Sequence, residues 1–205
     1  MSMNISKILL APKILLALIG ALLLNACNAP VDAPNLSAPS FTDKPSFAFD
    51  VAEIGFVNEY KPDTNAYHVE KSFPTPPEKA IENWAHDRLY AAGKDRLMQV
   101  VITEASVIGQ SLPKKGGLTG SFTKQPSERY TANIGVELRI YGKNSGLSEA
   151  SVRGKTQVMR ELQEGATPRE REALFAEMTR DLMNNLNKTL EDNIQRYFSR
   201  YLLAN

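Results

Sequence analysis

Arg129-Tyr130-Thr131-Ala132-Asn133-Ile134-Gly135-Val136-Glu137-Leu138-Arg139-Ile140 alternates without interruption. Tyr130, Ala132, Ile134, Val136, Leu138 and Ile140 fall on one side. Arg129, Thr131, Asn133, Gly135, Glu137 and Arg139 fall on the other. A strand turns successive side chains to opposite faces, so this stretch predicts a long strand with one buried and one wet face. Such a strand belongs to an antiparallel sheet covered on one side only.

The flanks agree. Gly142-Lys143-Asn144-Ser145-Gly146 supplies turn residues. Glu149 to Arg160 then places Ala150, Val152, Thr156 and Val158 on one face, which predicts a hairpin. Arg129, Glu137, Arg139, Arg153 and Lys155 are expected on the wet face. Upstream, Leu97 to Ile108 is rich in β-formers. Phe47, Phe49 and Val51 alternate, and after a phase shift Ile54 and Phe56 continue. This reads as one strand from about 47 to 58 with a bulge near Ala52–Glu53. Tyr67 to Val69 reads as a short edge strand.

Two helices complete the pattern. Thr75-Pro76-Pro77-Glu78 carries a cap, a proline at the first position and an acid three residues on. Ile81, Trp84, Ala85, Arg88, Leu89 and Ala92 follow at helical spacing, and Gly93 is the expected terminator. Trp84 reads as a core anchor. Thr167-Pro168-Arg169-Glu170 repeats the capping logic. Phe175, Met178, Leu182, Leu186, Leu190, Ile194, Tyr197 and Tyr201 then recur at steps of three and four. That helix could curve as one piece or break at Asn184-Asn185. The order β-α-β-β-β-α predicts an α+β, two-layer sandwich: a mostly antiparallel four-stranded sheet with two helices on one face.

Ahead of this domain, residues 1–26 carry Lys7 and Lys13, no acid, and an apolar or small run of 11 residues from Ile14 to Leu24. A membrane-spanning helix needs roughly 20 such residues and a signal peptide's apolar core about 7–15. The run ends in Leu24-Asn25-Ala26-Cys27, and Cys27 is the chain's one cysteine. This resembles the lipobox of bacterial lipoproteins. The resemblance implies diacylglycerol on the Cys27 sulfur, cleavage before it and acylation of the new amino group. One acyl chain binds a bilayer marginally, whereas two or more anchor it stably. Asn28 follows; the absence of Asp there implies the periplasmic side of the outer membrane rather than the inner one. Asn28 to Pro45, NAPVDAPNLSAPSFTDKP, shows no helical or strand period and predicts a flexible tether. The expected organisation is therefore signal peptide 1–26, lipidated cysteine and tether 27–45, and one periplasmic domain 46–205.

The 205 residues are 42% hydrophobic and 23% charged, ordinary for a globular protein. Taking Lys7 and Lys13 from the 24 basic residues leaves 22 against 23 acidic ones. A near-neutral chain has no general electrostatic reason to seek nucleic acid. His68 and His86 lie in separate elements without a zinc spacing, and GxSxG, SxxK and dinucleotide fingerprints are missing from the sequence. No cofactor is implied beyond the covalent lipid, and no catalytic residue is assigned. Gly109 to Ser127 is long for a strand connection. Lys114, Lys115, Leu118 and Phe122 form a candidate partner-binding loop within it. The alternative is a solvated extension with Phe122 folded back on the domain.

Anchor, tether and small α+β domain together resemble the auxiliary lipoproteins of ABC-type transport systems. Those share an early strand, a helix bearing Trp, several strands and a terminal helix. The resemblance implies a non-enzymatic subunit that docks on an envelope protein partner and helps transfer lipid or another apolar cargo. A carrier of an apolar ligand and a periplasmic hydrolase are the competing expectations.

Overall fold

The computed structural model describes residues 33–113, 124–143 and 146–203. The chain divides into Met1–Pro34 and Asn35–Asn205, and the fold described is that of the second unit. Its elements run β1 (Phe47–Phe49), β2 (Glu53–Asn58), α1 (Pro77–Arg88), β3 (Leu89–Ala91), β4 (Leu97–Ser111), β5 (Pro126–Tyr141), β6 (Ser148–Gln163) and α2 (Pro168–Tyr197). The larger sheet has the order β2-β4-β5-β6. β4–β5 and β5–β6 are antiparallel, and β2 lies parallel to β4. That parallel pair follows from the connection, because α1 carries the chain back across the sheet before β4 begins. The expected α+β fold with a four-stranded sheet is present, mixed rather than wholly antiparallel.

The predicted strand 47–58 is two strands in two sheets. β1 pairs with β3, and Phe49 also bridges Leu202 near the carboxyl end. Between β1 and β2 the backbone turns sharply: Val51 N–H bonds Phe49 O, and Asp50 N–H bonds Tyr201 O. The phase shift in the sequence marks this change of sheet rather than a bulge. Gly93 does not end α1, which stops at Arg88 and passes straight into β3. Gly93 instead lets two backbones touch, since a Cβ there would lie 2.5 Å from the Asp50 carbonyl carbon.

α1 starts one residue later than expected. Pro76 is its N-cap, without a side-chain bond, while Thr75 O accepts from Thr179 Oγ1. The second capping box is formed in full by Thr167 and Glu170. α2 then runs unbroken through Asn184 and Asn185, both of which face solvent. Its stripe from Phe175 to Ile194 is buried on the sheet, but Tyr197 is exposed and Tyr201 sits in a separate 3-10 turn.

The core lies between helices and sheet. Met98, Val100 and Ile102 of β4, the six alternating residues of β5, and Val152 and Val158 of β6 meet Trp84 and the α2 stripe. Trp84 is fully buried, and its indole N–H donates to Asn187 Oδ1 at 3.0 Å. Neighbouring Arg88 is also buried, with Glu191 at 3.3 Å and the Phe47 ring beneath its guanidinium. Gly154 lies against Leu186 and Leu190, where a Cβ would approach to 2.9 Å, so α2 and β6 are in direct contact.

The tether expected to run through Pro45 ends sooner. Phe41 is 2% exposed and belongs to the core. Its N–H donates to Asp87 Oδ2 at 2.7 Å, and Arg180 donates to Asn35 O at 2.7 Å. The folded unit therefore takes in much of the segment that composition assigned to the spacer. One buried aromatic with a charge-assisted bond outweighs local proline and serine content.

Candidate functional site

Residues 59–73 form a strap along the outer side of β4, beyond the end of β2. Gly109 N–H bonds Tyr67 O and Val69 N–H bonds Val107 O, which makes the expected short edge pairing around His68. Phe73 stacks on Phe175 with centroids 4.2 Å apart and fixes the strap's far end. Between strap, β2 and the start of α1 lies a cleft of about 510 Å3. Tyr60, His68 and Glu70 share one wall, and Asn58, Pro77 and Glu78 stand on another.

The polar groups of the strap hold one another. His68 Nδ1 lies 2.7 Å from Glu70 Oε1, and Nε2 lies 2.8 Å from Asp63 O. Both neighbours are acceptors, so the protonated ring, with a donor at each nitrogen, is the form this arrangement favours. The Glu70 hydrogen bond raises the His68 pKa, against a smaller opposing effect of burial. Tyr60 donates to the same Glu70 oxygen at 3.0 Å. Burial, then the Glu70 carboxylate, push its phenol above the usual range. Bonded at both nitrogens to strap residues, this histidine ties Asp63 to Glu70 and acts as a clasp on the strap.

The second charged arrangement lies on the sheet face away from the helices. Arg139 donates to Glu59 at 2.7 and 3.1 Å and to Glu137 at 2.8 Å, while Arg153 reaches Glu137 at 3.0 Å. Glu137 was expected to be wet, yet it is 4% exposed. The two guanidinium groups roof it, together with the buried Val101 beside it in register. Burial alone would raise the Glu137 pKa. Hydrogen bonds from Arg139, Arg153 and Ser151 outweigh that and bring it to about 2. Further pairs cross the strands on this face: Arg129 with Glu161, and Gln157 through Asn133 to Ser106.

Leu24, Asn25, Ala26 and Cys27 lie outside the described residues, as do Lys114, Lys115, Leu118 and Phe122. The loop itself is shorter than expected, because β4 extends to Ser111 and β5 begins at Pro126, with Gln110 opposite Arg129. Among the described residues no group of three or more His, Cys, Asp or Glu side chains is placed to hold a metal ion. Sequence reading missed the Tyr60–His68–Glu70 group. Its one available signal was the short edge strand at 67–69, which brings His68 beside β4.

No protein-family model matches the chain, and no curated protein matches it. Among solved structures it is similar to the rare lipoprotein B of Shewanella oneidensis, at 12% identity and TM-score 0.34, covering 70% of this chain and 97% of that one. It is similar to a minor lipoprotein of Acinetobacter baumannii at 11% identity and TM-score 0.35, covering 71% and 95%. A Xanthomonas campestris protein of family DUF330 is similar at 10% identity and TM-score 0.33, covering 79% and 97%. The solved structures that this chain resembles thus include bacterial lipoproteins.

Proposed function

We propose that this chain is a lipid-anchored envelope protein, held by acyl groups on Cys27, that serves as a non-enzymatic docking subunit of an envelope assembly or transport system. One observation carries the reading. An apolar run too short to span a bilayer ends in Leu24-Asn25-Ala26-Cys27, and a folded unit begins at Asn35. The eight residue steps between Cys27 and Asn35 reach at most about 28 Å at roughly 3.3–3.6 Å each. A unit on so short a lead works beside the membrane, on the periplasmic side of the outer membrane given Asn28. The direct contact of Gly154 with Leu186 and Leu190 leaves no space for an acyl chain between α2 and β6, which favours docking over carrying an apolar cargo there.

Replacing the cysteine tests the anchor. Cys27→Ser moves the protein from the membrane fraction to the soluble fraction or stalls it uncut, and intact mass of the native chain shows an acylated terminus. Unchanged fractionation with an unmodified sulfur sinks the anchor. Docking predicts that crosslinking in intact cells returns the same one or two membrane proteins repeatedly. A lipidated chain that crosslinks to no recurring protein is not a docking subunit.

A further inference from the structure

The two edges of the larger sheet are finished differently. On β6, Arg153 O accepts from Asn193 of α2 at 2.8 Å, and Met159 O accepts from the Arg160 guanidinium at 3.0 Å. Arg153 and Lys155 stand beside them, charges of the kind that deter an added strand. That edge is guarded at these two carbonyls and by the two basic side chains.

β2 has no such guard. Glu53-Ile54-Gly55-Phe56-Val57-Asn58 contains no Pro, Lys or Arg, and its pairing with β4 runs in unbroken register. Just beyond it, Glu59 N–H points inward to Ile102 O at 2.9 Å. Backbone groups of alternate strand residues share a side, so Ile54, Phe56 and Asn58 present their N–H and C=O outward. Phe56 is 38% exposed at this edge.

α1 forms the wall beside it. Glu78, Glu82 and His86 recur every four residues and therefore share one helix face. Glu78 accepts from Asn58 Nδ2 at 2.9 Å, and the His86 ring lies 5.1 Å from the Phe56 ring. Among the described residues the edge is thus a row of backbone groups without partners, with an exposed aromatic at its centre; Glu78 and the Lys79-paired Glu82 lie on the helix side, and Glu53 stands exposed on the opposite face.

We propose that an extended segment of a partner polypeptide adds to the outer edge of β2 as a fifth strand. Apolar side chains at alternate positions cover Phe56 on the helix side, and basic side chains at the intervening positions meet Glu53 on the opposite face. Main-chain bonds supply affinity in this mode, and the alternating side chains supply specificity. A second copy of this chain does not fit. β2 contains no Lys or Arg to meet Glu53, and antiparallel self-pairing centred on Phe56 sets Glu53 against Glu59, whose Arg139 partner is already engaged. This inference rests on the docking role and names its surface.

The test uses the purified lipidated chain in detergent and the peptide acetyl-Lys-Val-Lys-Val-Lys-Val-amide, with its Glu-Val counterpart as control. The Lys-Val peptide binds saturably and slows hydrogen exchange at Ile54, Phe56 and Asn58, while the Glu-Val peptide does not. Phe56→Lys, which gives β2 a guard like that of β6, weakens binding by about tenfold or more while the chain stays folded. If that variant misfolds, Glu53→Lys on the exposed face of β2 provides the same comparison. Equal binding of both peptides, protection elsewhere, indifference to both substitutions, or self-association through this edge overturns the proposal. Recurrent membrane crosslinks alongside a failed peptide test leave the docking role standing and move its surface away from β2.

Discussion

His68 is held from both sides by groups that only accept, Glu70 Oε1 and Asp63 O. The charges that act on it are those of Glu70 and Asp63, both on the strap; Lys71 and, on α1, Glu78 line the same cleft, and Glu104 of β4 acts on the adjoining Tyr60. Its folded pKa lies above the value of about 6.5 expected in the unfolded chain. A raised pKa means the native state binds the proton more tightly. The stabilisation is complete below about pH 6.5 and is lost as pH rises through the folded pKa. His68→Gln is therefore expected to lower Tm most below about pH 6.5, with the gap to the parent closing as pH rises through the raised folded pKa. A gap that is constant with pH would show that the ring is not a charged clasp. The residues of this clasp were all visible in the sequence, but their association was not. They lie in a stretch without strand or helix period, and their meeting depends on a strap whose pairing partner is some forty residues away. Glu137 was misjudged for a related reason. Alternation assigns a face correctly, but it does not reveal that two arginines on neighbouring positions will fold over and dry a carboxylate on that face.

Elements with strong internal periodicity were legible. The β5 alternation, the β5–β6 hairpin and the Thr167–Glu170 capping box are local, so nearby residues dictate them. The division of 47–58 between two sheets was not, because Val51 turns back on Phe49 only where Gly93 and Tyr201 give the backbone something to bond. The parallel placement of β2 likewise depends on how α1 packs and not on β2 itself. Two glycines separate local preference from packing. Gly154 sits under α2, where an added methyl meets Leu190 at 2.9 Å, whereas at Gly55 on the open edge it meets nothing within 4 Å. Gly154→Ala is expected to cost about 1–3 kcal/mol through overpacking. Gly55→Ala is expected to be neutral or stabilising by up to about 0.5 kcal/mol, as Gly is a poor strand residue. Denaturant melts of the two variants decide it, and equal costs would mean that α2 does not press on β6.

At the scale of the molecule, the folded unit reaches further back than composition implies. Asn35 is held by Arg180, Ser40 and Phe41 by Asp87, and Phe41 fills a core position with Phe49 and Trp84 in the same cluster. The carboxyl end closes onto the same region, since Leu203 N–H bonds Ala48 O. The amino end of the unit is thus tied to α1 and α2 and the carboxyl end to β1, and the stretch between Cys27 and the unit shortens from the roughly 60 Å that 18 residues allow to about 28 Å. The two lengths make different predictions. If 28–45 were only a spacer, removing the Phe41 ring would leave stability unchanged. Because the ring is buried, Phe41→Ala is expected to cost about 3 kcal/mol, which for a unit of this size lowers Tm by roughly 10 °C. Asp87→Ala removes the charged partner of the Phe41 amide and should lower Tm in the same direction by less. An unshifted melt for Phe41→Ala would return residues 35–45 to the tether. The predicted loss instead means that freeing residues 35–45 from the folded unit requires breaking part of its core.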